Sequence, residues 1–100
     1  MNKIMIIKVN SGEEILGEVV EVGTTLKVKN PMVILARPDP STGQMSVGLM
    51  PFAPFSDDKT VDIYPHAIVA DYTPEQEMLN EYNRRFGSGI VIAAANDLPQ

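Results

Sequence analysis

A chain of 100 residues with 13 acidic side chains against 8 basic ones, one histidine and no cysteine has a net charge of −5 and the length of one domain. That inventory excludes disulfides and cysteine-ligated zinc. It also argues against nucleic-acid binding by bulk charge, which needs many lysine and arginine contacts to phosphate. No run approaches the roughly 20 apolar residues of a membrane span, and the start, Met1 to Lys8, is too short in its apolar run for a secretory leader, so a cytoplasmic protein with no membrane partner is expected.

Ile4 to Val9 reads as a strand closed by the turn Asn10-Ser11-Gly12. Glu13 to Val22 alternates, with Ile15, Gly17 and Val19 on one face and Leu16, Glu18 and Val20 on the other. Gly17 inside a strand predicts a strong bend or the close approach of another backbone. After Gly23-Thr24, the run from Thr25 to Arg37 carries Leu26, Val28, Met32, Ile34 and Ala36 in phase, Lys27 and Lys29 opposite them, and Pro31 as the sign of an edge or a bulge. Pro38 to Gly43 is a loop by composition and Gln44 to Phe52 a fourth strand, broken by Pro51, Pro54 and the polar Ser56-Asp57-Asp58-Lys59. Val61 to Tyr72 supplies the last strand material, kinked around Pro65.

The period then changes. Thr73-Pro74-Glu75-Gln76 predicts a helix start with Thr73 as the cap, and Met78, Leu79, Tyr82 and Phe86 form one apolar stripe. Arg84 and Arg85 suit the last turn, and Gly87-Ser88-Gly89 ends the helix. Ile90 to Ala95 is apolar without helical phase and suits an added strand or a docking segment, and the final residues are expected to fray. The organisation is a β domain over 1–72 with a long hairpin at 32–59, a helix over 73–87 and a tail over 88–100. Short bent strands in one small domain imply a small barrel or half-open sheet, whose thin core and open edges favour self-association.

The chemistry-bearing residues are few. One histidine and no cysteine assemble neither a nucleophile with its base nor a metal site, so no catalytic residue, cofactor or metal is expected. Asp57, Asp58 and Asp62 fall short of a calcium loop in spacing and number. His66 can hydrogen-bond a base, a phosphate or a ribose, or be satisfied by the backbone of its own turn. Lys27 and Lys29 can meet phosphates or simply face solvent. Met45, Met50, Phe52 and Phe55 suit a partner surface, a core or a seam between subunits.

Tyr64-Pro65-His66-Ala67-Ile68 is similar to the second motif of the Sm-like family, and most like its bacterial host-factor RNA chaperone, where the motif reads Tyr-Lys-His-Ala-Ile. Val9-Asn10-Ser11-Gly12, Ile15-Leu16-Gly17 and Val28-Lys29-Asn30 resemble the first motif of that family. The resemblance implies an all-β fold: a strongly bent five-stranded sheet, or small open barrel, closing into a ring of roughly five to seven copies; the one C-terminal helix of this chain departs from the family, which places its helix before the first strand. It implies single-stranded RNA binding near a central pore, with His66 and Tyr64 at a uridine pocket and Asn30, Lys27 and Lys29 beside it. Thr24 or Thr25 stands where the family carries a stacking aromatic, and Thr25 joins the expected contacts. Ile68, Val69, Met50, Phe52, Ile90 and Ile92 are the expected subunit contacts. Pro65 in place of lysine and the insertion from Met32 to Lys59 depart from the family pattern, and the missing aromatic and the acidic balance favour a second reading: an adaptor ring that binds a host protein. The stretch Asn80 to Gly89 is similar to the ends of small proteins of marine bacteriophages, which implies a bacterial host cytoplasm.

Overall fold

Ile6 and Ile7 are neighbours in the chain and both are buried, at 4% and 0% exposure. In an extended strand adjacent side chains point to opposite faces, so the sheet must be covered on both sides here. The computed structural model describes residues 3–86. Gly87-Ser88-Gly89 and the expected contacts Ile90 and Ile92 lie outside the described residues. The elements are β1 (Lys3–Val9), β2 (Glu14–Val22), β3 (Thr25–Pro38), β4 (Met45–Pro51), β5 (Thr60–Ile63), a 3-10 turn over Pro65–Ala67, β6 (Ile68–Tyr72) and α1 (Gln76–Phe86). No helix among the described residues is long and apolar enough to cross a membrane.

The antiparallel sheet runs β4-β3-β2-β1-β6, with β5 off this path and paired to β3. Strand β3 therefore takes two partners in succession: Leu26–Lys29 pair with β5 and Met32–Pro38 with β4. The final stretch expected as one kinked strand is divided by the 3-10 turn, which hands the chain from β3 to β1. The result is a bent, mostly antiparallel sheet that does not close, with one helix after it.

The inner face packs Ile7, Val9, Ile15, Val19, Val28 and Ile63. The outer face packs Ile6, Leu16 and Met32 against Tyr82, with Met78 and Phe86 beside it. The expected stripe of α1 is thus the cover of the outer face, although Leu79 is not part of that cluster. The expected cap at Thr73 is corrected. The Leu79 N–H donates to the Glu75 carbonyl at 3.0 Å, so helical bonding begins at Glu75 and not at Thr73. Pro74 is buried, in the link between β6 and α1.

A second correction concerns β3. Leu26 and Val28 pack inside, whereas Met32 and Ile34 pack outside, so the apolar residues that look in phase lie on opposite faces. The cause is a bulge. The register slips between Leu16 and Glu18, which pair with Met32 and Lys29 and leave Asn30-Pro31 opposite Gly17. Asn30 has φ +52°, a left-handed conformation that asparagine tolerates better than most residues. A Cβ on Gly17 would sit 2.3 Å from Val28 Cγ1 and 3.2 Å from the Lys29 carbonyl oxygen. Glycine is therefore required where β3 folds over β2. The Tyr82 hydroxyl donates to the carbonyls of Lys29 and Asn30, at 2.9 and 3.0 Å, and so ties α1 to the bulge. Burial pushes the Tyr82 phenol well above its ordinary range, and the Glu18 carboxylate adds to the rise.

Candidate functional site

Tyr64 ends the β5 ladder in an extended conformation, and Pro65 opens the 3-10 turn with its φ already set. The Ala67 N–H closes the turn on the Tyr64 carbonyl at 2.9 Å. Asn10, in the turn after β1, holds it from the side. Its N–H donates to the Ala67 carbonyl at 2.8 Å and its Nδ2 reaches the His66 carbonyl at 3.5 Å. The contacts that fix the turn all end on its backbone carbonyls, and among the described residues none engages the His66 imidazole. The Tyr64 and His66 rings lie nearly parallel, with centroids 6.3 Å apart and planes inclined by 15°. Tyr64 is 53% exposed. Two rings, one phenol and one imidazole, are thus offered to solvent on a held turn.

The other expected residues divide into near and far. Thr25 begins β3 at the end of the ladder where Leu26 pairs with Ile63, so it stands by Tyr64. Its hydroxyl is used within the chain, donating to the Val22 carbonyl at 3.1 Å. Lys27 is one pair further in and meets its cross-strand partner Asp62 at 2.9 Å. The Asp62 hydrogen bond and charge raise the Lys27 ammonium above its ordinary pKa. Lys29 keeps an exposed side chain while its carbonyl accepts from Tyr82. Asn30 lies past the far end of the β5 ladder, about 15 Å from Tyr64 at ~3.3 Å per residue. There its N–H donates to the Lys59 carbonyl at 2.7 Å, and it lines a recess of about 210 Å³ with Pro31, Pro51, Pro54 and Phe86. The fold therefore groups His66, Tyr64, Thr25 and Lys27, and holds Asn30 apart.

Among the expected subunit contacts, Ile68 and Phe52 are half-buried against the inner core, while Val69 and Met50 are 64% and 49% exposed. Both of the latter lie on the outermost strands, β6 and β4. No group of side chains that could hold a metal ion occurs among the described residues. Asp58 instead accepts from Ser56 and Thr60, and Asp62 from Lys27.

Three features have no local signature in the sequence. Asn10 as the clamp of the His66 turn is one, because its partners are 56 and 57 positions away. Asp62 as the partner of Lys27 depends on which strand β5 joins. The third is a recess of about 540 Å³ where the sheet fails to close, floored by Met5, Ile7, Val19 and Leu26 and rimmed by the exposed Lys3, Glu21 and Asp71. No family model matches the chain, and no curated protein matches it.

Proposed function

We propose that the chain is an Sm-like module that assembles into a ring and binds single-stranded RNA at the Tyr64–His66 turn. The observation that carries this reading is the turn itself: an exposed, near-parallel pair of rings fixed in place by Asn10. Flat rings suit splayed bases, and an imidazole suits their hydrogen-bonding edges. Support also comes from the order of the elements. The Tyr64-Pro65-His66-Ala67-Ile68 motif joins the strand on β3 to the strand on β1, where the second motif of the Sm-like family joins its last two strands. Among the described residues no strand pairs with the outer edges of β4 and β6, and such edges seek strands, which favours assembly. Lys27, the lysine nearer the turn, is paired with Asp62, so affinity rests on the rings more than on phosphates.

Fluorescence anisotropy with U-rich and A-rich oligonucleotides tests the reading. Saturable binding at low salt that is lost in His66→Ala supports it, and absence of binding by the wild type removes it. A second reading, an adaptor ring that binds a protein, is favoured by Phe55. It is 98% exposed on a loop held by the Lys59–Pro54 and Ser56–Ala53 hydrogen bonds at 3.2 and 3.1 Å. A rigid aromatic in solvent resembles the anchor of a protein contact. Nuclease-insensitive capture of one defined protein, lost in Phe55→Ala, would separate this reading from the first.

A further inference from the structure

The β3–β4 hairpin carries one charge that nothing in the described chain answers. Arg84 and Arg85 both reach Glu81, and Lys27 reaches Asp62. Among the described residues Arg37 has no carboxylate partner. Its face follows from the register. Val33 pairs with Ile15, Ile15 with Ile7, and Ile7 with Asp71, so Val33 shares the inner face with all of them. Leu35 and Arg37 continue that face two and four positions on. Their cross-strand partners are Gly48 and Ser46, too small to cover them. Leu35 is 41% exposed, and Met50, opposite Val33, is 49% exposed. The outer half of the hairpin thus presents two apolar side chains and a cation on its inner face, past the body of the sheet.

The other end of β3 borders the complement. The recess of about 540 Å³ has an apolar floor that includes the half-buried Met5 and Leu26. Its rim carries two carboxylates, Glu21 and Asp71, against the single cation Lys3, a net charge of −1 by that count. None of the three has an ion-pair partner among the described residues. The recess takes Leu26 from the start of β3, and Leu35 and Arg37 lie nine and eleven positions further along the same strand, roughly 30 to 36 Å at ~3.3 Å per residue, so the two patches do not touch within one molecule. A second copy can join them, and a contact between two different patches repeats head to tail.

We infer that the inner face of the hairpin, Leu35, Arg37 and Met50, seats on the open recess of a second copy of this chain, with Arg37 against Asp71 or Glu21. This rests on the self-association proposed above and adds to it the residues that choose the partner and close the recess. Sign decides between occupants. The recess is acidic, which disfavours a nucleic acid and favours the arginine of the hairpin.

The test is sedimentation velocity on the full chain over a range of concentrations. The variants are Arg37→Asp, Asp71→Arg, Glu21→Arg, and the two pairings of Arg37→Asp with a rim reversal. Arg37→Asp is expected to weaken self-association by roughly ten- to a hundred-fold. One of the two pairings should restore it to within a few-fold of wild type. Circular dichroism should remain unchanged, because Arg37, Glu21 and Asp71 are all exposed. A wild type that stays monomeric at every concentration overturns both the ring and this contact. Assembly that ignores Arg37→Asp, or a loss that neither pairing repairs, overturns this contact and leaves the ring standing.

Discussion

The bulge of β3 and the turn at His66 are both interruptions of a strand, and they are held in opposite ways. At the bulge, Gly17, Asn30 and Pro31 are packed against Val28 and tied to the helix through Tyr82. At the turn, the backbone is fixed by Asn10 while the side chains of Tyr64 and His66 face outward. The first interruption uses all its groups inside the molecule. The second keeps its rings available. Stability and recognition should therefore separate by mutation, and each variant below probes that separation.

The largest effect is expected from Gly17→Ala. The added methyl group would meet Val28 Cγ1 at 2.3 Å and the Lys29 backbone at 3.2 Å, so either the bulge or β2 must move. A loss of about 2–3 kcal/mol, typical of a crowded core, is expected in urea unfolding. A loss below about 0.5 kcal/mol would mean that the strands can part cheaply. Next comes Tyr82→Phe, which keeps the ring among Ile6, Leu16 and Met32 but removes the hydrogen shared by two carbonyls. Leaving those acceptors unmet should cost about 1–2 kcal/mol by the same measurement.

Alkaline pH should act on the same contacts. Both Tyr82 and Tyr72 have phenols whose pKa is raised in the fold. For Tyr72 a hydrogen bond to Glu14, then burial and the Glu14 charge, push it up to about 12. A pKa raised above its unfolded value of about 10 means the folded state prefers the protonated phenol. The stabilisation is complete below pH ~10 and is lost as pH rises through the folded values. Urea midpoints should hold level to pH ~10 and fall between about 10 and 12, with a shallower fall in Tyr72→Phe. At the outward-facing end the expectation reverses. His66→Ala and Phe55→Ala should each change the unfolding free energy by less than about 0.5 kcal/mol, because neither side chain is packed. A larger loss in His66→Ala would make the turn structural and weaken its assignment to binding.

The bend was legible because a glycine inside a strand forfeits side-chain packing and marks the place where a second backbone comes close. The helix stripe was legible because Met78, Tyr82 and Phe86 share a period that nothing else in the chain shows. The phase of β3 was not legible. A bulge inserts one residue, and the even-numbered apolar residues on its two sides look continuous when they face opposite ways. The antiparallel ladder from Leu26–Ile63 to Lys29–Thr60 sets Asn30 at the far end from His66, although the two read as one site in a linear motif comparison. Lys27 reads as a free cation until β5 is known to pair with β3 and bring Asp62 across from it. Local turn chemistry survives translation from sequence to structure, whereas partners far apart in the chain wait on strand order.

Contact between RNA and the Tyr64–His66 turn can be read directly by photocrosslinking. A U-rich oligonucleotide carrying 4-thiouridine is bound, irradiated and digested, and the adducts are located by mass spectrometry. The adducts should fall on Tyr64 or His66, and oligonucleotide in excess without the photoreactive base should suppress them. Adducts confined to other parts of the surface, or none at saturating protein, would contradict the assignment of this turn as the RNA-binding site.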